Sequence, residues 1–158
     1  MVVIPQGLLL DRRLVDGESK NAPTGFSDDP EARRKIELAA MAAVMAAERA
    51  LGNEPSDVSA QKIGYDIQSY DPKTDHIRFI EVKGRVEGAD SVMVTRQEVI
   101  TSLNKPDQFI LGIVHVDNGF AREPLYVRGA LQTHEPSFDV TAIQFNLKSL
   151  LERAEIPA

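Results

Sequence analysis

Gly64-Tyr65-Asp66-Ile67-Gln68-Ser69-Tyr70-Asp71-Pro72-Lys73-Thr74-Asp75-His76-Ile77-Arg78-Phe79-Ile80-Glu81-Val82-Lys83-Gly84 is the stretch that decides how this chain folds. Its middle, Asp71 to Asp75, is turn chemistry: aspartates that bond their own backbone, and a proline whose φ is preset. Apolar and β-branched residues flank the turn on both sides, so the stretch predicts two strands joined as a hairpin. A loop over 72–75 sets Asp71 opposite His76. Counting back in that register puts Asp66 opposite Glu81. Side chains alternate along a strand, so Glu81 and Lys83 project from one face, which Asp66 shares. A slip of one residue would separate them.

Two carboxylates directly opposed on a sheet repel each other. A divalent cation removes that conflict. Mg²⁺ takes oxygen ligands and keeps several waters, so one or two carboxylates plus a substrate phosphate commonly complete its shell. A lysine beside the pair can hold or help deprotonate a water and offset charge on a phosphate. Together these are the parts of metal-assisted phosphodiester hydrolysis. An acid-x-Lys triplet alone is weak: the chain holds Glu18-Ser19-Lys20, Asp71-Pro72-Lys73 and Glu81-Val82-Lys83. Only the last lies on a strand with a second acid facing it. Its plainer reading is an edge salt bridge between Glu81 and Lys83.

Upstream, Asp29 and Pro30 open a helix as N-cap and first residue. Ala, Leu, Met and Glu carry it to Leu51, and Gly52 stops it. Ile36, Ala39, Ala40, Ala43, Val44 and Ala47 form a small-residue face suited to packing on a sheet. Glu37 and Glu48 share a face with Met41 and Val44. Glu37 reads as a carboxylate that reaches the metal or its water shell; Glu48 reads as solvated at the margin of the stripe. Arg33-Arg34-Lys35 is a small basic run, read as solvated, with contact to a nucleic-acid backbone as its other reading.

Downstream, Ser91 to Val94 predicts a short strand. Thr95 with Glu98 forms a capping box that starts a second helix, ending before Pro106. Gln108 to Val116 is nearly continuous apolar sequence, as in a strand covered on both faces. Leu125 to Val127 and Val140 to Phe145 are weaker strands, Val58 reads as another, and Asn146 caps a last helix, 147–154. Helices alternating with strands predict an α/β or α+β layered fold with a mixed sheet. Residues 1–28 carry Gly7, Gly17, Pro23 and Gly25 and read as a linker with one short strand at Val2 to Ile4, which leaves 29–158 as the domain.

The 158 residues suit one domain. No cysteine is present, which excludes disulfides, Cys-zinc sites and thiol catalysis. His76, His115 and His134 lack zinc spacing. The longest apolar run, Leu38 to Ala47, is too short to span a membrane. The N-terminus lacks a basic region and a long apolar core, so no secretory signal is read and the cytoplasm is the expected location. Net charge is −6. A free-standing nucleic-acid binder usually shows a basic footprint. A nucleic-acid role here must therefore rest on a local site, a metal, or a larger assembly. The same acidity favours the alternative of a catalytically silent docking module, for nucleic acid or protein, within a larger helicase-like protein.

Taken together, Ile36-Glu37, Ala40-Met41, Glu48, Gly52, Gly64-Tyr65-Asp66-Ile67, Ile80-Glu81-Val82-Lys83-Gly84 and Thr95-Arg96-Gln97-Glu98 resemble the protein NO VEIN C-terminal-type domain. That domain is similar to the PD-(D/E)XK nuclease superfamily. It occurs in bacteria, often joined to helicases or to restriction and phage-defence proteins, and at the end of a plant protein. The resemblance covers about residues 33–116. It implies a restriction-endonuclease-like α/β core, a central mixed β-sheet flanked by helices. It implies a Mg²⁺ (or Mn²⁺) ion held by Asp66, Glu81 and the Val82 carbonyl, with Lys83 as the catalytic lysine and Glu37 as an auxiliary ligand. Gln97 would lie near the metal, and Glu98 is read as the capping partner of Thr95. Arg85 and Arg96 are the candidates for holding a nucleic-acid phosphate. The implied activity is a metal-dependent nuclease, with DNA the expected substrate and no membrane partner. The superfamily's proline before the first acid is replaced by Tyr65.

Overall fold

A computed structural model describes residues 28–158 of the chain. The linker reading of residues 1–28 and the strand read at Val2 to Ile4 lie outside the described residues, Asp28 excepted. Helix α1, Pro30–Ala50, begins where the sequence places it: the Asp29 side chain accepts from the Glu31 amide at 3.0 Å, and Pro30 needs no partner for a missing N–H. Ala40, Val44 and Glu48, four apart, are its buried residues.

Strand β2, Ile67–Asp71, pairs antiparallel with β3, His76–Arg85, and Asp71 lies opposite His76 as the turn predicts. The turn holds this register with its own side chains. Asp71 Oδ1 accepts from the Lys73 amide at 2.9 Å and its Oδ2 from the Thr74 hydroxyl at 2.8 Å. Asp75 takes the left-handed conformation that Asp tolerates. Strand β4, Ser91–Thr95, leads into α2, Arg96–Asn104, through a complete capping box. Strand β5, Phe109–Asp117, pairs parallel with β3. Its other edge takes β6, Phe120–Ala121, and β7, Leu125–Val127. Strand β8, Ala142–Asn146, pairs with β4, and α3, Leu147–Leu151, follows.

The main sheet is mixed; with Glu54–Asp57 as β1 it runs β1-β2-β3-β5-β6, with β7 also on β5. Strand β1, Glu54–Asp57, is its edge and replaces the strand expected at Val58, which instead precedes a short 3₁₀ turn. Its sequence is polar, and Pro55 is tolerated because an edge strand leaves one row of amides unpaired. Alternate β5 residues feed two cores. Ile110, Val114 and Val116 pack beneath α1 with Ile67 and Ile80. Phe109, Leu111 and Ile113 pack on the other face with Val92, Val94, Val99, Ile143 and Leu147. That second face is covered not by helices alone but by the two-stranded β4–β8 sheet together with α2 and α3. The molecule is thus an α/β fold around a mixed sheet. Among the described residues no helix is long and apolar enough to cross a membrane.

The solvated reading of Glu48 is overturned: its side chain is fully buried. Its Oε2 accepts from Asn53 Nδ2 and Ser69 Oγ, both at 2.7 Å. Its Oε1 accepts from the Tyr126 hydroxyl at 2.8 Å and faces Arg78 Nη1 at 3.4 Å. Each partner lies on a different segment, so this one carboxylate ties α1 to β2, β3 and β7. A buried charge persists only when satisfied in this way. The Tyr126 hydroxyl, buried and bonded to an anion, has its pKa pushed far up.

Candidate active site

Strand β2 starts at Ile67 opposite Ile80, whereas β3 continues to Arg85. The last residues of β3 therefore run past the hairpin, and a cleft of about 750 Å³ opens beside them. Asp66 sits at the fork. Its amide donates to the Ile80 carbonyl at 2.9 Å, continuing the ladder by one bond. Its Oδ2 accepts from the Val82 amide at 3.0 Å, which fixes the carboxylate beside β3. Asp66, Glu81, Val82 and Lys83 all line the cleft, so the register read from the turn brings these residues together.

Two glycines make the approach possible. Gly64 has a positive φ and lies against α2, where a Cβ would meet Thr101 Oγ1 and come within 2.9 Å of the Gln97 carbonyl. A Cβ on Gly84 would stand 2.9 Å from Ile36 Cγ2 and 3.0 Å from the Ile36 carbonyl. The bare backbone at Gly84 thus lets α1 lie directly on β3, one residue from Lys83.

Lys83 is held from two sides. Its Nζ lies 2.8 Å from Glu81 Oε1 and 2.8 Å from Glu98 Oε2. The same Glu98 oxygen accepts from the Thr95 amide at 3.0 Å, while the Glu98 amide donates to Thr95 Oγ1. Glu98 is therefore a capping residue and a partner of the lysine at once. The sequence signal for the cap is plain; the second role needs the tertiary contact between α2 and β3 and has no local signature. Asp57 and Ser59, from the β1 end, also line the cleft. Ser59 bonds to Asp57 through its hydroxyl and its amide, and these hold the Asp57 pKa below its usual value.

Burial dominates the electrostatics of the acids beside Lys83. Burial is the main cause that raises the Asp66 pKa, with the Val82 amide and Lys83 pulling it back and Glu98 and Asp57 adding to it. Burial likewise pushes Glu81 up to about 8, against the attraction of Lys83 and with added repulsion from Glu98 and Asp66. For Lys83, burial works against the charged form, but Glu81 and Glu98 more than offset it and its pKa is raised. Fully ionised, Glu81 and Glu98 would flank a single ammonium, with Asp66 a third acid nearby. Two negative charges would then lack a counter-charge.

The donor set fits a hydrated hard cation. It consists of two carboxylates and a backbone carbonyl, all oxygen, in a cleft open to water, and one or two carboxylates suffice for Mg²⁺. Among the described residues, no group of three or more His, Cys, Asp or Glu is arranged as a ready-made metal cage. The remaining candidates are placed as follows. Glu37 lines the α1 wall of the cleft and is exposed. Arg85 lines it too, with Nε donating to the Ser91 carbonyl at 2.9 Å; burial lowers its pKa and Glu37 opposes that. Gln97 and Arg96 are not brought to the cleft. Gln97 is exposed, because the capping box turns Glu98 inward and its neighbour about 100° away. The Arg96 guanidinium lies over the Phe138 ring at 5.2 Å.

The family model for Protein NO VEIN, C-terminal, matches residues 36–127, more than half of the chain. The chain belongs to this family. In this NO VEIN C-terminal domain the match runs from α1 through β7 and includes Asp66, Glu81, Lys83 and Glu98. Arg33 and Arg34 precede it, and β8 and α3 follow it. Comparison with curated proteins and with solved structures returned no match.

Proposed function

We propose that the cleft is the active site of a Mg²⁺- or Mn²⁺-dependent nuclease of the PD-(D/E)XK type, with a restriction-endonuclease-like core and DNA as its expected substrate. The observation that carries this reading is the pairing of Asp66 with Glu81 beside Lys83, three acids around one lysine once Glu98 is counted. A structural salt bridge needs no such excess of acid, whereas a divalent cation would neutralise it. Asp66, Glu81 and the Val82 carbonyl would hold the ion. When bound, such an ion supplies Lewis-acid polarisation of the phosphodiester and a more acidic water.

The protein's own residues do the rest. Lys83 orients the attacking water or offsets charge on the phosphate as the P–O bond breaks. Glu98 aims Lys83 by holding its ammonium from the side opposite Glu81. Glu37 would serve from the wall as an auxiliary carboxylate, and Arg85, held by the Ser91 and Gly84 carbonyls, would add positive charge for a phosphate. The domain would act within a larger helicase or phage-defence protein that delivers the nucleic acid.

Titration with Mn²⁺ while following thermal unfolding tests the site, because a ligand that binds only the folded state raises Tm by mass action. Asp66→Ala abolishes both the shift and cleavage of plasmid DNA. Lys83→Ala keeps the shift and loses cleavage; wild-type cleavage by that variant refutes the role given to the lysine. A second reading, a catalytically silent docking module, is favoured by the closed pairing of Lys83 and by the net charge of −6. It gains if millimolar Mn²⁺ leaves Tm unchanged.

A further inference from the structure

The floor of this cleft is acidic, and so is the chain as a whole. Before any cation is bound, a phosphodiester approaching Asp57 and Asp66 meets acid with Lys83 already held by Glu81 and Glu98, so a cationic group at the rim would help to draw it in. Arg33 and Arg34, adjacent residues near the start of α1, line the same cleft and are both exposed. Neither side chain forms an ion pair or hydrogen bond among the described residues. The neighbouring cation behaves otherwise: Lys35 pairs with Glu31 at 3.0 Å, one turn away on α1. Among the described residues, Arg78, Lys83 and Arg122 also have carboxylate partners. Two adjacent guanidinium groups without such a partner leave positive charge at the rim of the cleft.

We propose that Arg33 and Arg34 form a phosphate-binding lip that grips the nucleic-acid backbone beside the phosphate lying over Asp66 and Glu81. This rests on the nuclease reading of the floor. Guanidinium suits such a grip because it stays charged and its planar fork meets two phosphate oxygens at once. Arg85, across the cleft on β3, donates Nε and Nη1 to the Ser91 and Gly84 carbonyls, so it adds positive charge while the grip itself falls to the two helix arginines. The lip explains how an acidic chain can hold a polyanion through one local site.

The test is a binding titration with a labelled mixed-sequence DNA duplex, by fluorescence anisotropy, in Ca²⁺ to limit cleavage, across a range of salt. The double variant Arg33→Ala/Arg34→Ala is compared with wild type and with Arg122→Ala, which removes an exposed arginine paired to Glu87. Both lip positions are exposed on a helix, so alanine preserves the fold. The lip variant should bind about tenfold or more weakly, with a slope of log K against log salt smaller by about 2. Its Mn²⁺-induced Tm shift should match wild type, and Arg122→Ala should bind as wild type does. An unchanged affinity and slope in the lip variant overturns the proposal, as does failure of wild type to bind the duplex. If wild type binds through the two arginines yet shows neither a metal shift nor cleavage, the lip stands and the nuclease reading of the floor fails.

Discussion

Replacing Glu48 tests whether one buried carboxylate fastens α1 to the sheet. In Glu48→Met the chain length is kept and every acceptor is lost. Asn53, Ser69 and Tyr126 are left with donors facing sulfur and carbon, and Arg78 loses its anion. Removing one partner of a buried ionic network costs about 3–5 kcal/mol. Three stranded donors at about 1–3 kcal/mol each would reach the same range once some rearrangement is allowed. Glu48→Gln should cost less, about 1–2 kcal/mol. Its oxygen can serve Tyr126 and Arg78, while its amide faces Ser69 and Asn53, which can both accept: the hydroxyl rotates and the Asn53 amide turns over. Urea unfolding at constant m gives the two values. The Met variant should melt about 10–15 °C lower. The reasoning is refuted if Glu48→Met costs less than about 1 kcal/mol, or if Gln proves worse than Met. Adding Ser69→Ala and Tyr126→Phe to Glu48→Met should recover part of the loss, because donors removed with their acceptor no longer go unpaired.

Three further outcomes follow from the cleft. In metal-free protein the folded state holds the Glu81 proton up to about pH 8, while the unfolded chain releases it near 4.5; its contribution is complete below pH 4.5 and is lost as pH rises to 8, by about 1.4 kcal/mol per unit at most. Glu81→Gln should therefore be more favourable relative to wild type at pH 8 than at pH 5.5 in chelator-treated urea melts, and a difference that does not change with pH would sink this. Gly84→Ala forces a methyl into Ile36 and Ala40, so it should cost about 1–3 kcal/mol by urea melt and weaken the Mn²⁺ shift as α1 lifts from β3; an unperturbed variant would show that the contact yields freely. Glu98→Gln keeps a capping-box residue but removes a charge from Lys83, so DNA cleavage should fall about tenfold with the metal shift intact. Unchanged cleavage would reduce Glu98 to a cap.

The sequence is most legible where short-range chemistry decides the outcome. Asp71 and Thr74 build their own turn, and that turn alone sets which residues face Asp66 and Glu81. Thr95 and Glu98 declare the start of α2 for the same reason. The β5 run, apolar throughout, announces a strand with both faces covered. What stays hidden depends on distant partners. Glu48 looks like a surface glutamate because Ser69, Arg78 and Tyr126 come from far along the chain. Strand β1 is polar and carries a proline, so only its pairing with β2 reveals it. Glu98 shows its cap in the sequence and hides its bond to Lys83. The placement of Arg96 over Phe138 depends on a loop about forty residues later.

Strand β5 separates two cores, with α1 over one side and the β4–β8 layer over the other. Peeling away either layer leaves the opposite one still sealing half of the strand. Its central amides, around Leu111 to Val114, can therefore reach deuterium only when the whole domain opens, and they should be the last to exchange. The rim of the cleft, with its exposed arginines near the start of α1, can breathe at far lower cost. A rigid spine beside a yielding mouth would let a long polymer enter and leave without disturbing the strand that carries Glu81 and Lys83.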